Sequence, residues 1–67
     1  MDKELRGIVA ALEAQGFKTR TTSRGHVFVT LDGKPVTTFS GTPSDVRSRR
    51  NSLAAAKRAG FRWPPPR

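Results

Sequence analysis

Residues 26–39 read HVFVTLDGKPVTTF, two alternating runs on either side of Asp32-Gly33. Asp-Gly between such runs is a strong hairpin signal, because a two-residue turn that matches strand twist needs positive φ at its central positions. In HVFVTL (26–31), Val27, Val29 and Leu31 fall on one face, and His26, Phe28 and Thr30 on the other. VTTF (36–39) supplies the returning strand, and Pro35 just before it suits a strand start or an edge. Upstream, FKTRTT (17–22) also alternates and reaches the hairpin through the turn Ser23-Arg24-Gly25. Three short strands joined by tight turns predict an antiparallel meander.

Helices flank the meander. In DKELRGIVAALEAQ (2–15), Leu5, Ile8, Val9 and Leu12 recur at the spacing of one helical face. Asp2 and Glu4 suit the positive N-terminal end, and Gly16 is the expected left-handed stop. Gly7 weakens this helix slightly. Downstream, Thr42-Pro43-Ser44-Asp45 reads as a helix start, with Thr42 as cap, Pro43 first in the helix and Asp45 three residues past the cap. The second helix is expected to run to Ala59, with Gly60 as its stop. The predicted fold is therefore α+β, in the order α-β-β-β-α, with both helices on one face of a three-stranded antiparallel sheet. Residues 1–61 form one domain, and 62–67 a Pro-rich tail of extended polyproline geometry. The expected core is Leu5, Ile8, Val9, Leu12, Phe17, Val27, Val29, Leu31, Val36, Val46, Leu53 and Phe61, with Trp63 shielding its edge.

Composition narrows the chemistry. The chain has 67 residues, no cysteine and one histidine, so disulfides and thiolate metal sites are excluded. Five scattered carboxylates offer no zinc set, and no cofactor is expected. The longest apolar run, IVAAL (8–12), is too short to span a bilayer, and no signal-peptide pattern is visible, so a cytoplasmic protein with no membrane partner is expected.

The net charge is +8, with a pI near 11.7. It is uneven: residues 1–15 carry −1, residues 16–42 carry +3 and residues 43–67 carry +6. Arginine outnumbers lysine, which favours forked contacts to phosphate. Such a half-chain reads first as a nucleic-acid footprint; colloidal solubility and an acidic protein partner are the alternatives.

On a wheel of about 100° per residue, Arg47, Arg50, Asn51, Lys57 and Arg58 share one arc of the second helix. No acidic residue interleaves to neutralise them, so the arc can follow phosphates while Asn51 bonds sugar or base. Arg49 falls among the inward positions and must snorkel or meet a partner. On the sheet, Lys18, Arg20 and Phe28 are expected on the open face, an aromatic flanked by cations that suits an unstacked base. Arg24 stands in the turn beside His26, the only side chain whose ordinary pKa lies near neutrality. The helical cations and the imidazole-bearing sheet surface are expected to converge on one polyanion.

The order α-β-β-β-α resembles the double-stranded-RNA-binding-domain fold. GFKTRTTSRGHVFVTLDGKPVT (16–37), with a final helix ending Ala59-Gly60-Phe61, is similar to the core of HicA-type toxins, small messenger-RNA-cleaving proteins of bacterial toxin–antitoxin pairs. The resemblance covers about residues 5–61 and is nearest to the short, Arg-rich type of actinobacteria and their phages. It implies RNA as ligand (DNA less so), an acidic HicB-like antitoxin as partner, and His26 as the catalytic residue of a slow, metal-free endoribonuclease. Arg24, Lys18 or Arg20 would then stabilise the phosphorane charge. The chain departs from the family's Gly-Ser-His with Arg24-Gly25-His26, and from its Pro-Arg-His-like segment with Phe39-Ser40-Gly41-Thr42-Pro43. A non-catalytic nucleic-acid-binding module of the same fold, and an effector that binds an acidic host protein, are the other readings.

Overall fold

The computed structural model describes residues 2–41 and 46–65. Its elements are α1 (Lys3–Ala14), β1 (Lys18–Thr21), β2 (Val27–Leu31), β3 (Lys34–Phe39) and α2 (Val46–Arg58), the α-β-β-β-α order expected. The sheet is antiparallel in the order β1-β2-β3, with both helices on its Val27–Val29 face. Asp32 (φ 53°) and Gly33 (φ 78°) make the β2–β3 turn, both in the left-handed region that the hairpin requires.

Each helix C-terminus ends in Gly-Phe, with the same geometry. In α1, Phe17 N–H donates to the Leu12 carbonyl at 2.9 Å and Gly16 N–H to Glu13 at 3.1 Å; in α2, Phe61 donates to Ala56 and Gly60 to Lys57, both at 3.0 Å. These are two Schellman caps, and Gly16 and Gly60 sit at φ 94° and 105°, where a side chain would be strained. The two caps meet. Phe17 and Phe61 pack edge to face at 5.9 Å, and Trp63 stacks on Phe61. Gln15 closes the clamp with two hydrogen bonds to the main chain of Arg62, accepting at 2.8 Å and donating at 2.9 Å. Beyond it the Trp63–Pro64 peptide is cis, and the end of the Pro-rich tail, 66–67, lies outside the described residues.

The core departs from expectation on β3 and α2, and Val9 and Leu53 pack against it only partly buried. Phe39 is fully buried and Leu31 and Val36 only partly, because a bulge at Val29/Thr30 pairs Val29 with Thr37 and Thr30 with Pro35. Val36 is left as the extra residue, so Phe39, opposite Val27, is brought inside. Val46, expected in the core, is 61% exposed. α2 instead buries its small residues, Ser52 and Ala56, which lets the helix approach β3 closely. The Ser52 hydroxyl donates to the Thr38 carbonyl of this edge strand at 2.6 Å, so its burial leaves no polar atom unsatisfied. The helix start read from Thr42-Pro43-Ser44-Asp45 lies outside the described residues.

Candidate nucleic-acid interface

The outward arc of α2 forms as the helical period requires. With Ser52 and Ala56 turned inward, Arg47, Arg50, Asn51, Lys57 and Arg58 are all exposed. Spacing sorts them into two rows, Arg47–Asn51–Arg58 and Arg50–Lys57, with exposed Ala54 between them. From Arg47 to Arg58 the arc spans about 16 Å along the axis.

Arg49 is the exception that isolates this arc. Its guanidinium turns towards α1 and reaches Asp2 Oδ2 at 2.7 Å and Glu4 Oε1 at 2.9 Å. Asp2 is also the N-cap of α1, its Oδ1 accepting the Leu5 N–H at 2.7 Å. The hydrogen bond from Arg49 and then the one from Leu5 hold the Asp2 carboxyl below its ordinary pKa, and Asp2 in turn raises that of Arg49. Glu4 lines the shallow groove between the helices with Val46, Arg50 and Leu53, yet its ion pair is with Arg49. Among the described residues, none of the cations on the outer arc pairs with a carboxylate.

The sheet positions a second group. Cross-strand register sets Arg20 opposite Phe28 and Phe28 opposite Thr38, with Lys18 opposite Thr30 in the next row. Val27 and Val29 are buried beneath the helices, so this row faces away from them, and Phe28 is 46% exposed. Lys18 and Arg20 are exposed as well.

Arg24 and His26 make a third group. β2 begins at Val27, so His26 belongs to the turn and not to the open strand face. Thr22 closes that turn: its N–H donates to the His26 carbonyl at 2.8 Å, and its hydroxyl accepts the His26 N–H at 3.2 Å. Among the described residues the imidazole itself has no hydrogen-bond or ion-pair partner. Gly41 packs on the turn so tightly that a Cβ there would overlap the Gly25 carbonyl oxygen and stand 2.9 Å from its carbon. Since Phe39 pairs with Val27, the turn shares an end of the molecule with the close of β3.

The expected convergence on one polyanion is therefore corrected. Both helices cover one face of the sheet, so the α2 arc and the Lys18–Arg20–Phe28 face look in opposite directions. Arg24 and His26 sit at the end between them. The shortest dimension of the fold is 18 Å, about two Debye lengths at physiological salt, so the two faces act as separate electrostatic surfaces. Among the described residues no cluster of potential metal ligands occurs, and no helix is long and apolar enough to cross a membrane. Comparison with family models, curated proteins and solved structures finds no match to the chain.

Proposed function

We propose that the chain is a HicA-like RNA-binding protein whose principal contact with RNA is the outer arc of α2. The observation that carries this reading is the sorting of arginines within one helix. Arg49 is neutralised by the protein's own carboxylates, whereas Arg47, Arg50, Lys57 and Arg58 are exposed and, among the described residues, pair with no carboxylate. Four such cations on one rigid face match the spaced charges of a phosphodiester chain, and Asn51 among them offers both a donor and an acceptor. In the toxin setting that the resemblance implies, an acidic antitoxin would compete for the same charges.

In this reading His26 takes the proton of an RNA 2′-hydroxyl, the 2′-oxygen attacks phosphorus, and the 5′-oxygen leaves with a proton from water. One such base is worth about 10²–10⁴-fold, and a base with no orienting partner sits at the low end. That no described residue orients the imidazole also favours a second reading, in which the same domain binds RNA without cutting it. RNA binding and cleavage by the purified protein, with and without His26→Ala at two salt concentrations, separate the two. Binding with a salt slope of roughly −3, about one counterion for each cation of the arc, is the expected result. Alanine at Arg47, Arg50 and Arg58 together is expected to remove most of that slope, and a slope left intact would overturn the assignment. Cleavage that His26→Ala abolishes supports the toxin reading; binding without cleavage leaves the domain a binding module.

A further inference from the structure

Phe28 is a large aromatic side chain that the fold does not use. The helices cover the other face of the sheet, and Val27 and Val29 on either side of it fill the core. Its ring lies on a groove of ≈ 430 Å³ lined by Arg20, Thr30, Pro35, Val36 and Thr38. That volume falls within the roughly 300–1,000 Å³ of small-ligand sites. Its lining is asymmetric. Its one lining cation is on the β1 side, where Arg20 is the direct cross-strand neighbour of Phe28; Lys18, in the next row of the same face, stands just outside the groove. On the β3 side are a hydroxyl (Thr38) and the apolar surface of Pro35 and Val36. No carboxylate lines the groove.

We propose that this open face is a second, independent site, for one unpaired nucleotide of a single-stranded RNA. The base stacks on Phe28 with its edge towards the hydroxyls of Thr30 and Thr38, and the phosphate lies over Arg20 and Lys18. Strands lie about 4.8 Å apart, so base and phosphate positions one or two strands apart fit a single nucleotide. A duplex does not fit, because its bases are stacked on one another and offer no free face to the ring. The site goes beyond the α2 reading, since it looks the opposite way and shares no residue with that arc. Two faces turned apart make the protein bivalent: a phosphate backbone on one side and an unpaired base on the other.

Two RNA probes test this on the full chain, a short oligouridylate and a blunt duplex with no overhang. Phe28→Ala is expected to weaken the oligouridylate by roughly 5- to 100-fold, the range for loss of one base–aromatic stack, and to leave the duplex unchanged. Phe28→Leu keeps apolar area but has no π-face, so it is expected to match the alanine variant, whereas Phe28→Trp restores binding. The triple alanine variant of Arg47, Arg50 and Arg58 is expected to lose the duplex and to keep the Phe28-dependent part of oligouridylate binding. Duplex immobilised and saturated with wild-type protein is expected to capture labelled oligouridylate. Oligouridylate affinity that Phe28→Ala leaves unchanged, in the wild-type or in the triple-variant background, would overturn the second site. So would a wild-type dimer in sedimentation that Phe28→Ala dissociates, since the occupant is then a second copy of the chain. A triple variant that retains the duplex while Phe28→Ala still loses the oligouridylate overturns the α2 reading alone.

Discussion

The two cationic faces of this domain are made by different means. On α2 the arc arises from helical period alone: small residues turn inward, and around exposed Ala54 the outward positions carry four cations and an amide. It contains no aromatic side chain, so in the proposed binding mode it would grip charge at many points and have little to tell one base from another. The open sheet face has only two cations beside Phe28, but strand register fixes them at set distances from an exposed ring. Such a face is weak in long-range attraction and selective at short range. In the proposed reading, one folded core therefore carries a salt-sensitive face and a shape-sensitive face, back to back.

Breaking the shared core should remove both at once. Phe39 is fully buried between sheet and helices, and Phe39→Ala is expected to cost about 3–5 kcal/mol. At about 0.05–0.15 kcal/mol per residue a domain of this size holds only about 3–10 kcal/mol, so thermal unfolding should show a large fall in Tm, with the variant unfolded at 25 °C if the wild type lies at the low end of that range. A folded variant that lost one face only would mean that the faces do not rest on a common core.

Gly41→Ala acts more locally. The added Cβ meets the Gly25 backbone, which cannot step aside as a flexible side chain can, and overpacking of this kind costs about 1–3 kcal/mol. Amide exchange is expected to rise in residues 22–26, the turn that holds Arg24 and His26, with Lys18–Thr21 and the C-terminal half of α2 protected as before. Equal loss of protection everywhere would show the turn to be part of the core.

Arg49→Met separates the buried guanidinium from the exposed arc. The stem is kept and the pair with Asp2 and Glu4 is lost, so Tm is expected to fall by several degrees while the salt slope of RNA binding is unchanged. The pH dependence has a definite sign. Asp2 has a lowered pKa in the folded state, so its contribution is full above the ordinary carboxylate range near 3.8 and fades as pH falls through the folded value. The Tm difference between wild type and Arg49→Met should therefore shrink below about pH 4. A difference that persists there would assign the effect to packing of the guanidinium group and not to its charge pairing. The smallest effect belongs to Val46→Ala: with the side chain 61% exposed, stability should stay within about 0.5 kcal/mol.

The parts of this fold written locally were legible in the sequence. Asp32-Gly33 named its turn, and the two Gly-Phe pairs named both helix ends, because positive φ is a demand that few residues meet. Periodicity placed the α2 cations outward and Arg49 inward. Phe39 was not legible, since the bulge at Val29/Thr30 reverses the alternation beyond it and nothing in VTTF announces an extra residue. Val46 misled for a related reason: α2 packs through its small arc, and an aliphatic residue outside that arc stays in water. The opposed directions of the two faces could not be read from either segment alone. They follow from which side of the sheet the helices cover, a property of the whole chain.

Mapping amide shifts while blunt RNA duplex is added to the labelled protein addresses the opposition of the faces most directly. Perturbations should follow Arg47, Arg50, Asn51, Lys57 and Arg58 along α2, with Lys18, Arg20 and Phe28 unmoved. Shifts gathered on β1 and β2 with α2 silent would contradict it.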